Sequence, residues 1–257
     1  MNLGITNKRV VITGASRGIG AQIAHSFLSE GSKTCIVSRG SPDLYNVGTL
    51  LKSEFSKDKI LLKECDCRDS TALISLKKEI KDEWGGVDIV IVNVGDGQSV
   101  NDVIPKEEQW KKTWDNNFES ALNTARTFLP LLKKSNGSLL FISSIAGLEA
   151  FGAPVDYSTA KSAILALAKN MARKLANEVR VNVVAPGNVF FPGGAWDKKI
   201  NNDPEGIKKL IKSTVPMNRF GTPEEIADAS VFLCSERASF ITGAVLIIDG
   251  GQTVGIL

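Results

Sequence analysis

Seven short apolar runs, separated by longer amphipathic stretches, set the strongest limit on what this chain can fold into. They are RVVITG (9–14), KTCIVS (33–38), KILLKE (59–64), VDIVIVN (87–93), GSLLFISS (137–144), VRVNVVAP (179–186) and AVLIID (244–249). Most are continuous runs of Val, Ile and Leu rather than strict alternations, the pattern of parallel strands covered on both faces. The stretches between them carry helix start and stop signals. GIGAQIAHSFLSEG ends at Gly31. DSTALISLKKEIKDEWGG opens on an Asp–Ser cap and stops at Gly85 and Gly86. TPEEIADASVFLCSE has a Thr cap, a Pro at the first helical position and two acids in the first turn. Repeated β-α-β units with right-handed crossovers give an α/β fold, an open, doubly wound parallel sheet of about seven strands flanked by helices on both faces. No repeat, low-complexity tract or linker divides the chain, so a single domain is expected over 1–257. The stretch 186–206, rich in Gly, Pro and Asn, reads as one long irregular insertion, and a substrate loop is expected at about 187–215.

The first run leads into TGASRGIG, which has two readings. As G-x-S-x-G it spells the nucleophile elbow of a serine hydrolase, which needs a histidine base after an acid. The one histidine, His25, lies nine residues after Ser16 with no acid between them, two turns into the helix that Ser16 introduces. As a glycine-rich turn between a strand and a helix, the same residues suit a dinucleotide. Gly14, Gly18 and Gly20 allow a tight turn, close approach to a pyrophosphate and packing of helix on sheet, and the helix N-terminus offers unpaired N–H groups. The second reading fits its surroundings. At the end of the second strand, where NAD enzymes place an acid on the ribose hydroxyls, stand Ser38 and Arg39. Arg39, with Arg17 inside the turn, suits a 2′-phosphate, unless both are plain solvated arginines. NADP(H) is therefore expected in preference to NAD(H).

Bulk properties exclude other classes. The 257 residues are 43% hydrophobic and 23% charged with a net charge of +3, as in ordinary globular proteins. Cations are scattered among acids, so no nucleic-acid partner is expected. No apolar run is long enough to span a bilayer and the first residues have no apolar signal core, so no membrane association and a cytoplasmic location are expected. Cys35, Cys65, Cys67 and Cys234 form no C-x-x-C; Cys65-x-Cys67 is either a partial metal ligand set or, more plainly, buried thiols in a reducing compartment. No metal is expected.

YSTAK sets Tyr157 and Lys161 four residues apart at the start of a helical run (158–176), hence on one helix face. An ammonium about 4 Å from a phenol contributes roughly 4 kcal/mol at an effective dielectric near 20, on the order of three pKa units, enough to bring a tyrosine towards neutral pH. Upstream, FISSIAG carries Ser144 to the carboxyl edge of the fifth strand, where open α/β sheets bind ligands.

With TGASRGIG, CDCRD at the third strand's end, DIVIVNVG in the fourth, Asn117, SSIAG, YSTAK, APG (185–187), RFGTPEEIA (219–227) and ITGAVLIIDGG in this order, the chain resembles a short-chain dehydrogenase/reductase of about 250 residues over nearly its whole length. The resemblance implies a Rossmann-type fold and hydride transfer between a nicotinamide and a carbonyl or secondary alcohol. Tyr157 would exchange the proton with the reacting oxygen. Lys161 would lower its pKa and hold the nicotinamide ribose, Ser144 would hydrogen-bond the oxygen, and Asn117 would position a water behind Lys161. Asp66 would contact the adenine, while Asn93 and Gly95 would line the cofactor channel. With Gly14, Ser16, Arg17, Gly18, Ile19, Gly20, Ser38, Arg39, Cys67, Tyr157, Lys161, Pro186, Gly187 and Val189 they complete the expected cofactor site. By the same resemblance, helices around 105–135 and 158–176 and the C-terminal GGQTVGIL would pair copies into a homotetramer or homodimer.

Two positions depart from the family pattern. Val92 replaces the first Asn of Asn-Asn-Ala-Gly, a change expected to affect packing. Phe191 replaces the threonine that would hold the nicotinamide carboxamide, leaving a backbone group or Asn188 for that task. Asp96, Leu148, Phe151, Asn188, Phe190 and Trp196 are the expected substrate residues, although the aromatics equally suit lid packing. The mixture fits a sugar-like alcohol, a 3-oxoacyl group or a hydrophobic ketone. The competing function is a catalytically silent, NADP(H)-sensing binding protein of the same fold, whose mark would be a damaged Tyr, Lys or Ser; a nucleotide-sugar epimerase would have a longer C-terminal region.

Overall fold

The computed structural model describes residues 2–40 and 42–256. Seven strands form one sheet, β1 (Arg9–Thr13), β2 (Lys33–Ser38), β3 (Ile60–Glu64), β4 (Ile89–Val92), β5 (Ser138–Ile142), β6 (Arg180–Pro186) and β7 (Val245–Ile248), in the order β3-β2-β1-β4-β5-β6-β7. Every neighbouring pair is parallel. All seven fall on the expected apolar runs.

The continuous apolar runs are explained by two cores. Val11, Cys35, Val90, Leu139, Phe141, Val181 and Val183 face α3 (Ser70–Trp84), α5 (Ser120–Ser135) and α6 (Val155–Leu175), together with Leu76, Phe128 and Ile164 of those helices. The alternate residues Val10, Ile12, Ile36, Ile91, Leu140 and Val184 face the other side, against α1 (Gly18–Ser29), α2 (Pro42–Glu54) and α9 (Pro223–Cys234). Because β1, β2, β4, β5 and β6 are covered on both faces, their period of two is invisible as an alternation of polarity. The expected caps form as well. The Asp69 carboxylate accepts from the N–H groups of Thr71 and Ala72, Gly85 ends α3 at φ 77°, and Thr222 and Glu225 make a reciprocal capping box at α9.

Two stretches differ from the sequence reading. The segment after β6 is largely helical, with α7 (Ala195–Asn202) and α8 (Pro204–Thr214). Its Gly, Pro and Asn mark helix boundaries: Asp203 caps α8 by accepting from Gly206 N, and Pro204 takes the first helical position. Helix α6 begins at Val155, because Pro154 supplies the extended residue before it, so Tyr157 lies within its first turn. Between α4 (Glu107–Trp114) and α5, a π-helical turn spans Asp115–Glu119. Among the described residues no helix is long and apolar enough to cross a membrane.

Phe128 is fully buried between α5 and the sheet. Phe128→Ala should cost about 3–5 kcal/mol, seen as a lower urea midpoint with an unchanged slope.

Candidate active site

The carboxyl edge of the sheet assembles two adjoining features, a glycine-lined turn and a cluster of polar side chains. The turn follows β1. Gly14 and Gly18 adopt φ of 65° and 54°, and a Cβ on Gly20 would stand 2.5 Å from both Asn93 Nδ2 and the Gly14 carbonyl oxygen, so no larger residue fits. The Asn93 amide donates to Gly14 O at 2.9 Å; this side chain braces the turn from β4. Arg17 precedes α1 with no side-chain cap, which leaves the first N–H groups of the helix available to an anion.

At the end of β2, Ser38 Oγ is buried without a hydrogen-bond partner. Arg39 follows it, and neither Arg39 nor Arg17 makes an ion pair among the described residues. Beyond β3, the Asp66 carboxylate is gripped by Arg68, Nη2 to Oδ2 at 2.5 Å. Arg68's hydrogen bond holds the acid below its usual range against the effect of burial. Arg68, which nothing in the sequence singled out, also reaches Asn116 Oδ1 at 3.3 Å. A helix N-terminus free of side-chain caps, an unpartnered buried hydroxyl and two unpaired arginines fit a phosphorylated dinucleotide.

The segment after β6 closes one side. Gly187 packs on Asp249, where a Cβ would stand 2.7 Å from Asp249 Cβ, and Val189 bridges to Gly221. The Phe191 ring lies on Gly18: a Cβ there would meet ring carbons at 2.6–2.8 Å. Phe190 and Trp196 flank Phe220, with ring centroids 6.0 and 5.3 Å from it. Phe190, Phe191 and Gly18 line a cavity of about 400 Å³ against α1 and α2. His25 also lines that cavity and bonds Glu54 at 2.9 Å, far from any role as a base at Ser16. Asn188 is tied through its carbonyl, which accepts from Gly221 N at 2.9 Å.

The four expected catalytic residues converge from three elements. Ser144 stands just past β5, and Tyr157 and Lys161 come from the first two turns of α6. Asn117, fully buried, comes from the π-helical turn, a distortion often found at functional positions. Asn117 Nδ2 donates to the carbonyls of Asp96 and Thr113, both at 3.0 Å, and its Oδ1 accepts from Asp96 N at 3.2 Å. Gly95 makes this clamp possible, since a Cβ would stand 2.6 Å from Asn117 Oδ1 and 2.9 Å from Lys161 Nζ. Ser143 Oγ donates to Lys161 O at 2.9 Å, and Ser162 Oγ to Gly147 O at 2.6 Å. A Cβ at Gly147 would come within 2.7 Å of the Lys161 carbonyl carbon. The strap after β5 is thus seated directly on α6.

The electrostatics differ from the simple expectation of an ammonium acidifying a phenol. Lys161 Nζ lies 5.7 Å from the Tyr157 ring centroid and donates to Ile142 O at 3.3 Å. Burial raises the Tyr157 phenol above its usual pKa, opposed by a hydrogen bond from Ser144, while the charge of Asp96 raises it further. Burial also lowers Lys161 to about 8, with Asp96 acting in the opposite direction. Desolvation is the largest influence on both groups. A second network escaped sequence reasoning altogether. The buried Asp156 carboxylate accepts from Ser99 Oγ at 2.5 Å and from Tyr157 N at 2.8 Å, and Gln109 links Ser99 to Thr113. Leu148 and Phe151 lie in the strap and the segment that leads into α6.

Residues 14–253 match the family pattern described as Enoyl-(Acyl carrier protein) reductase. The chain belongs to the short-chain dehydrogenase/reductase family. A 3-oxoacyl-[acyl-carrier-protein] reductase of Thermotoga maritima is 30% identical over 97% of this chain and 99% of its own. A 3alpha-hydroxysteroid dehydrogenase of Mediterraneibacter gnavus is 29% identical over 96% and 97%. Among solved structures, L-sorbose reductase from Gluconobacter frateurii, complexed with NADPH and L-sorbose, aligns with a TM-score of 0.91 at 29% identity over 99% and 100% of the two chains. Within the short-chain dehydrogenases/reductases, this kinship supports an active oxidoreductase of CH–OH and C=O groups over a silent binding protein.

Because Lys161 is less basic folded than unfolded, the native protein binds fewer protons than the unfolded chain between about pH 8 and 10.5, and stability rises with pH there. Without nucleotide, Lys161→Met should gain stability relative to the parent below pH 8. That gain should shrink as pH climbs through this window, in thermal melts.

Proposed function

We propose that the protein is an NADP(H)-dependent carbonyl reductase working through Tyr157, Lys161, Ser144 and Asn117 on a ketone, 3-oxoacyl or sugar-like substrate. The carrying observation is the convergence of these four side chains beside the glycine turn. A bound nicotinamide supplies or accepts the hydride. Every other task falls to the chain. Tyr157 gives its phenolic proton to the carbonyl oxygen as charge develops there, and Ser144 holds that oxygen by a hydrogen bond. The Lys161 ammonium stabilises the phenolate left behind and holds ribose hydroxyls. Asn117 has given both amide hydrogens to backbone carbonyls and keeps oxygen acceptor capacity for a water on the proton path behind Lys161.

NADP(H) rather than NAD(H) is supported by Ser38, whose hydroxyl is buried without a partner, and by Arg17 and Arg39, which make no ion pair among the described residues and suit a 2′-phosphate. Residues 1–257 act as one oxidoreductase domain, with 187–215 as the substrate segment. Four buried free cysteines suit a reducing cytoplasm, and assembly as a homotetramer or homodimer follows the family; light scattering showing a monomer at micromolar concentration would end the last point.

Tyr157→Phe should lower kcat by roughly 10²–10⁴-fold while NADPH affinity by calorimetry stays near the parent's. Arg39→Asp should weaken NADPH binding by about tenfold or more and favour NADH; equal use of both nucleotides by the unmutated protein would refute the assignment.

A further inference from the structure

The mechanism leaves Asp96 without a task, although it sits at the catalytic centre. Its backbone is clamped by Asn117 on both sides, N–H to Oδ1 at 3.2 Å and Nδ2 to carbonyl at 3.0 Å. The glycine before it packs on Lys161 Nζ. The glycine after it passes the hydroxyl end of Tyr157, where a Cβ on Gly97 would stand 3.9 Å from both Cε2 and Cζ. Asp96 is partly open to solvent and its charge is felt by both Tyr157 and Lys161. The carboxylate accepts from Gln98 N at 3.1 Å and Asn116 Nδ2 at 3.3 Å, which leaves about two of its roughly four acceptor positions open. Among the described residues no lysine or arginine pairs with it.

An open carboxylate beside the reacting group selects the neighbour it meets. A substrate carboxylate or phosphate would be repelled. A substrate ammonium would be drawn to Asp96 but opposed by the buried Lys161 ammonium, whose charge Asp96 already offsets. A neutral hydroxyl satisfies both constraints, donating to Asp96 without adding charge. We propose that Asp96 is a specificity-determining residue that accepts a hydrogen bond from a substrate hydroxyl one or two carbons from the reacting carbonyl, so that the enzyme's substrates are neutral hydroxyketones and the corresponding polyols. This rests on the reductase reading above and narrows its substrate to the hydroxylated class.

The test compares a ketohexose, the plain six-carbon methyl ketone and a β-keto ester, each with NADPH, in the parent, Asp96→Asn and Asp96→Leu, with melting curves to verify folding. Asp96→Asn keeps an acceptor for Gln98 N, so the loop has a variant that preserves its turn. The parent should favour the ketohexose over the plain ketone in kcat/KM. In Asp96→Leu that ratio should fall by about tenfold or more, the range of a hydrogen bond to a charged group, chiefly through KM for the ketohexose; Asp96→Asn should lie between. The loss of charge next to Tyr157 and Lys161 shifts the pH profiles of both ketones alike, so the ratio isolates recognition. An unchanged ratio, or a parent that prefers the plain ketone or the β-keto ester, would overturn the proposal while leaving the reductase intact. NADPH uptake without reduction of any carbonyl in the panel would overturn the reductase reading itself, and this proposal with it.

Discussion

The site is organised around a positive charge carried into the protein interior. Lys161 is 4% exposed, and its ammonium has one backbone carbonyl as partner, Ile142 O at 3.3 Å. Removing a charge from water is costly unless other dipoles and charges replace the hydration. Here the replacement comes from the carboxyl edge of the sheet, where the last carbonyl of β5 points at the amine, and from Asp96 at the end of the β4 loop. Gly95 and Gly147 are what let these backbones come close enough. The electrostatics of the cluster therefore depend on backbone placement as much as on its side chains.

Most of the architecture was legible in the sequence because it is set by local rules. Apolar runs of strand length, the Asp69 and Thr222 caps and the glycine stops at 31 and 85 each act within a few residues, and the structure follows them. The helices of the 187–215 segment are not legible in the sequence because Gly, Pro and Asn signal irregularity, whereas here they bound two short helices. At the site, spacing pairs Tyr157 with Lys161, and the family resemblance implies that Ser144 and Asn117 join them. The sequence could not show that both members of the Tyr–Lys pair are desolvated, since burial depends on every element packed around them. Nor could it show the Asp156–Ser99–Gln109 chain or the grip of Arg68 on Asp66, because each joins residues whose proximity exists only after folding. Asn93 was read as a lining residue; its amide bond to Gly14 O makes it a brace for the turn.

The two halves of the cleft are built differently. The nucleotide side relies on backbone N–H groups, a buried hydroxyl and unpaired arginines, all of which await an anionic partner. The opposite side is mostly tied within itself: Asn117, Asp156, Ser99 and Gln109 bond one another or the main chain, while the Asp96 carboxylate keeps acceptor positions open. Phe191, standing where the family pattern has a threonine, lays an aromatic ring across the glycine turn, a contact of hydrophobic character in place of a hydroxyl.

The seating of the 143–147 strap on α6 has a consequence for variation. Ser143 and Ser162 stitch the two together and Gly147 removes any side chain that would hold them apart, so Ser144 and the helix that bears the phenol and the ammonium belong to one packed unit. The spacing of Ser144, Tyr157 and Lys161 is thus set by this unit and not by the segment beyond β6, so substitutions in that segment can reshape the surroundings of the cluster without moving its members apart.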